Sequence, residues 1–145
     1  MKVKIKKLNG NATIPTYGSP YAAGADLYAC IDGAEDIRPS ETKLIKTGLA
    51  IELPIGYAAF IYARSGLASK RGLAPANKVG VVDCDYRGEI MVALHNHSDK
   101  MQSIEPGERI AQMVIAPYIT AEFEESEALS DPVRGEGGFG STCTK

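Results

Sequence analysis

Apolar side chains recur at every second position of this chain, in short pieces bounded by Gly, Pro, Asn or Asp, and no long stretch keeps a helical period. Alternation of this kind puts one face of a strand on a core and the other in water, whereas an amphipathic helix returns its apolar face about every 3.6 residues. The alternating pieces fall at residues 2–8, 25–30, 42–45, 49–53, 57–63, 79–83, 89–95, 103–104, 109–116 and 119–124. Turn signals separate them at Ile31-Asp32-Gly33, Pro54-Ile55-Gly56, Asp85-Tyr86-Arg87-Gly88 and Glu105-Pro106-Gly107-Glu108, where Gly, Pro and Asp favour the dihedral angles that reverse a chain. So many short strands predict an all-β fold, a jelly-roll-like barrel or sandwich. One segment departs from the pattern: Ser65-Gly66-Leu67-Ala68-Ser69-Lys70-Arg71 has Leu67 and Arg71 four apart and predicts one or two helical turns. A helix opening at Arg64-Ser65-Gly66 would point free N–H groups outward beside a guanidinium and a hydroxyl, an arrangement suited to an anion.

Hydrophobic residues make up 44% of the 145 positions, enough for the core of one domain, and with no Trp and 7% aromatics that core must be mainly aliphatic. The expected organisation is a β domain over residues 1–130 and a flexible glycine-rich extension over 131–145. A net charge of −2 argues against a protein that lives on neutralising duplex phosphates, so any phosphate site must be local. Basic residues cluster at Arg64, Lys70 and Arg71, with Arg87, Arg109 and Arg134 as single candidates, and Glu122, Glu124, Glu125 and Glu127 form an acidic connector. Cys30, Cys84 and Cys143 show no C-x-x-C spacing, which suggests neither a disulfide framework nor a zinc ribbon. The N-terminus lacks the apolar core of a signal peptide, and no run approaches the roughly 18 apolar residues of a membrane span. A soluble cytoplasmic protein without nucleic-acid or membrane partners is expected.

The end of the chain reads Arg134-Gly135-Glu136-Gly137-Gly138-Phe139-Gly140-Ser141-Thr142. Glycines this dense do not build a packed element, but the segment carries a guanidinium for phosphate oxygens, a ring for a base, and two hydroxyls beside backbone N–H groups. It fits either an unstructured terminus or a lid that orders on a nucleotide. Gly135, Gly137 and Gly140 also match G-x-G-x-x-G, yet only five residues follow, too few for the helix that motif must open. A second constellation is Asn77 followed by residues 80–91, read as strand, tight turn, strand. There Asp83 and Asp85 fit either a turn-shaping role or that of a rigidly held carboxylate that aims a water. Asp26, after Ala23-Gly24-Ala25, is a lone acid at a strand start, and Gln112 is an amide in an apolar strand that must find partners or face a site. His95 and His97 share a strand face but lack a third ligand at metal spacing. The signatures of P-loop, zincin, α/β-hydrolase and zinc-deaminase enzymes are missing.

Five segments in order resemble the homotrimeric dUTPases: Ala23-Gly24-Ala25-Asp26-Leu27, Arg64-Ser65-Gly66-Leu67-Ala68, residues 77–88, Gly107-Glu108-Arg109-Ile110-Ala111-Gln112, and residues 134–142. The chain departs from the family pattern at Ala63, where many members have proline, and at Cys143, where the tail commonly continues with glycine. The resemblance implies a jelly-roll subunit in a homotrimer with shared active sites, the tail closing over a neighbour's site, and Mg²⁺-dependent hydrolysis of dUTP to dUMP and pyrophosphate. It implies that Asp83 orients or deprotonates the attacking water and that Asp26 bonds to water around the metal. Arg64, Ser65, Gly66 and Gln112 match positions that hold phosphate oxygens. Asn77 and the backbone around Gly80, Val81, Val82 and Met91 match those that read uracil, and Tyr86 matches the ring packed on deoxyribose. Phe139 and Arg134 match the tail residues that stack on the base and contact the terminal phosphate, with Gly140, Ser141 and Thr142 beside them. Two alternatives stand beside this expectation: a dCTP deaminase on a related fold, and a non-catalytic trimeric nucleotide-binding module.

Overall fold

The computed structural model describes residues 1–133 together with Gly135, Glu136 and Gly138. Its elements in chain order are β1 (Lys4–Lys7), β2 (Thr16–Tyr17), β3 (Ala25–Tyr28), β4 (Glu35–Ile37), β5 (Thr42–Lys46), β6 (Leu49–Glu52), β7 (Tyr57–Tyr62), α1 (Ser65–Arg71), β8 (Leu73–Pro75), β9 (Gly80–Val82), β10 (Met91–Asn96), β11 (Gln102–Ile104) and β12 (Arg109–Pro117). A five-stranded sheet runs β2-β3-β12-β7-β9, a three-stranded sheet β5-β10-β8, and two pairs, β1-β6 and β11-β4, complete the structure. Strands far apart in sequence lie side by side, as β3 and β12 do, which is the connectivity of a jelly roll rather than a meander. The core is aliphatic: Leu27, Ile37, Ile45, Leu49, Leu73, Leu94, Ile104 and Ile110 are all less than 2% exposed. Burying each is worth about 1.5–3 kcal/mol, so these side chains hold the sheets together, while an exposed ion pair such as Lys4–Glu52 is screened by water.

Two polar side chains, Thr47 and Asn96, sit wholly inside this apolar core. Asn96 donates from Nδ2 to Ile37 O (2.9 Å) and Lys100 O (2.8 Å), and its Oδ1 accepts from Ser98 N (2.9 Å) and Ser98 Oγ (2.7 Å). Every polar atom of that amide is thereby used, as burial requires, and the turn after β10 is fixed. The predicted helical turns are present as α1, anchored by buried Leu67. Arg71 donates from Nε to Gln102 Oε1 (3.0 Å), from Nη1 to Glu108 Oε1 (2.5 Å) and from Nη2 to Ser103 O. Of the basic cluster expected around α1, Arg71 is therefore committed to tying the helix to β11 and the following turn.

Three expectations change. Strands β2, β4 and β8, at two or three residues each, are too short to show a period and escaped the pattern. Residues 119–124 alternate but form no strand, with Ile119 93% and Phe123 94% exposed; an isolated strand leaves its backbone groups unpaired, and among the described residues none lies beside it. The segments around the Asp83 turn were expected to close as a hairpin, yet β9 belongs to the five-stranded sheet and β10 to the three-stranded one. No helix among the described residues is long and apolar enough to cross a membrane.

Candidate active site

The five-stranded sheet gathers one group of predicted residues through its register. Thr16 pairs with Asp26, Asp26 with Gln112, and Gln112 with Tyr62, so four side chains from four strands form a row on one face. A bulge in β12 between Arg109 and Ala111 sets this alignment, since a one-residue slip would send Gln112 to the opposite face. Asp26 accepts from Arg64 Nε (2.7 Å) and Arg109 Nη1 (3.2 Å), and its side chain is only 13% exposed. Gln112 Nε2 donates to Ala63 O (2.9 Å), which fixes the amide and with it the approach to Arg64. Together Asp26, Arg64, Ser65, Gly66 and Gln112, with Gly18, Ala22 and Gly24, line a cavity of about 190 Å³. Its first-turn N–H groups from α1 and its guanidinium suit an anion.

The second group lines a groove of about 290 Å³ where β9 and β10 part: Asn77, Gly80, Val81, Val82, Asp83, Tyr86 and Met91, with Leu44, Ile61 and Pro75 behind them. Because β9 is the edge of its sheet, its outer N–H and C=O groups face this groove unpaired by a strand. Asp83 is exposed one residue past β9. The Tyr86 hydroxyl donates to Glu89 O (3.1 Å), and Arg87 Nη1 donates to Cys84 O (2.7 Å) and Tyr86 O (3.0 Å), which stiffens the turn.

The two groups do not meet within one chain. Ile61 pairs with Gly80 and Ala59 with Val82, so Asp83, one residue past the end of that ladder, lies at the Ala58 end of β7, while Arg64 lies six residues further along the chain, beyond the other end of β7. At about 3.3 Å per residue that separates them by roughly 20 Å. Arg134, Phe139, Gly140, Ser141 and Thr142 lie outside the described residues. His95 and His97 pack edge to face with ring centroids 4.4 Å apart, and burial, with His95 and Lys78 nearby, lowers the His97 pKa. His95 Nδ1 is already bonded to Thr42 Oγ1 (2.8 Å). Near the groove, Cys84 Sγ lies 3.5 Å from Tyr118 Oη, a contact that raises the Tyr118 pKa.

No group of three or more His, Cys, Asp or Glu among the described residues could hold a metal by itself. Asp26, a single carboxylate in a polar cavity, does fit the outer shell of Mg²⁺, which keeps several waters and takes most of its protein-derived charge from one or two carboxylates plus substrate phosphates. Gly24, Thr47 and Glu89 shape these groups through contacts between residues far apart in sequence and were not singled out for such a role by the chain's pattern.

The dUTPase family model matches residues 10–143. The deoxyuridine 5'-triphosphate nucleotidohydrolase of Hydrogenobaculum sp. (strain Y04AAS1) is 52% identical over 145 residues, all of both chains. That of Nautilia profundicola is 55% identical over 142 residues, 98% of this chain and 99% of its own. Among solved structures, Staphylococcus bacteriophage 80alpha dUTPase with dUPNHPP superposes with a TM-score of 0.89 at 30% identity, covering 97% of this chain and 98% of that one.

Proposed function

The chain belongs to the dUTPase family, and from that membership we propose that it hydrolyses dUTP to dUMP and pyrophosphate at sites shared between protomers of a homotrimer. The observation that carries this reading is the groove between β9 and β10, where an open strand edge, an exposed carboxylate and a tyrosine ring surround one opening. Uracil meets the backbone of Gly80, Val81, Val82 and Met91 and the amide of Asn77. Tyr86 packs on the deoxyribose, where a 2'-hydroxyl would be crowded and left without a partner. Asp83 aims a water at the α-phosphorus and takes its proton. The new bond forms from the water oxygen to that phosphorus, the bond to the bridging oxygen breaks, and pyrophosphate departs. Carboxylates are weak bases, so positioning of the water contributes more than basicity.

Arg64, Ser65, Gly66 and Gln112 of a neighbouring protomer hold the phosphate oxygens, because the roughly 20 Å between the two groups is too great for one chain to close the site alone. Mg²⁺, carried by the triphosphate and met by Asp26 through its waters, would supply neutralisation of the phosphate charge. Residues 131–145, distinct from the β domain of residues 1–130, close over the site, with Arg134 on phosphate, Phe139 on the base and Gly140, Ser141 and Thr142 around the phosphate chain. The test is pyrophosphate release from dUTP, dTTP, dCTP and UTP with and without Mg²⁺. Release from dUTP alone, and only with Mg²⁺, is expected; ammonia from dCTP, or nucleotide binding without release, would refute the reading. Asp83→Asn should still bind dUTP while turnover falls at least about a hundredfold, and removing residues 134–145 should lower the rate more than the melting temperature.

A further inference from the structure

The turn that carries Asp83 and Tyr86 has no ladder of its own. An ordinary hairpin is held by hydrogen bonds between its two strands, but β9 and β10 lie in different sheets, so residues 83–90, stiffened within by Arg87, need an anchor to the core from outside the turn. The link between β5 and β6 holds them. Thr47, wholly buried, donates from Oγ1 to Ile90 O at 2.5 Å, and Ile90 N donates to Leu49 O at 2.8 Å. Beside it, Gly48 N donates to Glu89 Oε1 at 2.8 Å. Gly48 has a φ of 67°, and a Cβ there would meet Ala12 Cβ and Cys30 Sγ, each at 2.8 Å, so glycine alone can aim this N–H. On its other side Glu89 accepts from the Tyr86 hydroxyl through its carbonyl (3.1 Å), and Tyr86 N donates to Asp83 O (3.2 Å). Hydrogen bonds, joined through the covalent frames of Glu89 and Tyr86, thus link the core to the ring and on to the residue that bears the carboxylate.

We propose that Thr47, Gly48 and Glu89 form a clamp that sets the sugar selectivity of the site, holding the Tyr86 ring where it admits a deoxyribose and refuses a ribose. The inference rests on the groove being the dUTP site. Thr47 and Gly48 lie behind the groove and Glu89 lines it beside Tyr86; all three are positioning residues that act through Tyr86. A groove left open for a ligand needs such a clamp, since the ladder that would otherwise fix the turn would fill the opening.

The experiment compares kcat and KM for dUTP and UTP in the wild type and in Glu89→Ala, Glu89→Gln, Thr47→Val, Thr47→Ser and Tyr86→Phe, with thermal melting alongside. Glu89→Ala and Thr47→Val should narrow the dUTP-to-UTP ratio of kcat/KM by about tenfold or more, mainly through a raised KM for dUTP. Glu89→Gln keeps the acceptor oxygen and Thr47→Ser keeps the hydroxyl, so both should restore the ratio. A purely structural role would lower both substrates equally and track the melting temperature, and that result overturns the clamp. Should the first two variants fail to fold, Tyr86→Phe decides, because it breaks only the bond that joins the ring to Glu89: an unchanged ratio overturns the proposal and a narrowed one supports it. A wild type that releases no pyrophosphate from dUTP overturns the reading of the site itself, a different outcome from an active enzyme whose ratio the variants leave alone.

Discussion

Gly24 lies against the Gln112 side chain so closely that a Cβ would stand 2.5 Å from Oε1 and 3.1 Å from Gln112 Cβ. The missing side chain thus fixes where the amide of Gln112 rests. Gly24→Ala should cost about 1–3 kcal/mol of stability from overpacking and, by displacing the amide, lower kcat/KM by roughly a further order of magnitude; melting and steady-state kinetics separate the two. Asp26 is similarly placed, one carboxylate against two guanidinium groups with its side chain 13% exposed. Asp26→Ala leaves Arg64 and Arg109 facing each other without their shared acceptor, a loss of about 1–3 kcal/mol that denaturant titration should register. Neither contact is legible in sequence, because Gly24 and Gln112 meet only through the β3–β12 ladder and a local reading of Ala23-Gly24-Ala25 shows just a small residue.

At the scale of the element, a pair of imidazoles flanks the buried amide that ends β10. Although His97 is exposed, partial desolvation and the neighbouring His95 and Lys78 hold its pKa below its ordinary value, so the unfolded chain binds a proton that the folded one resists. Stability is therefore full above about pH 6.5 and is lost as pH falls through the lowered folded value; His97→Asn should flatten that slope in melting curves taken across mildly acidic pH. What could be read from sequence at this scale followed from length and pairing. β7 and β12 are long enough to show their period, and Leu67 with Arg71 marks α1. β2 has two residues and no period to show, whereas residues 119–124 have the period without a neighbour. The Asp83 turn was visible from its Asp, Gly and flanking alternation, yet its separation into two sheets was not, because the bonds from Thr47 and Gly48 that hold it span more than 40 positions.

For the whole molecule, the proposed sharing of one chemistry between opposite ends of β7 would make association a condition of activity. Asp83→Asn and Arg64→Ala, each inactive alone, should regain activity when co-folded. Mixed assemblies juxtapose an intact Asp83 from one parent with an intact Arg64 from the other, and random mixing restores about a quarter of the sites. Continued inactivity of the mixture would mean that each chain closes its own site. The open edge of β9 has one more consequence. A bare strand rim can pair with an extended polypeptide, so with the groove as the proposed nucleotide site the vacant enzyme would carry an aggregation hazard that its own ligand masks. Stored protein supplemented with product should accumulate fewer particles by light scattering than protein without it, making metabolite supply a preservative as well as a feedstock.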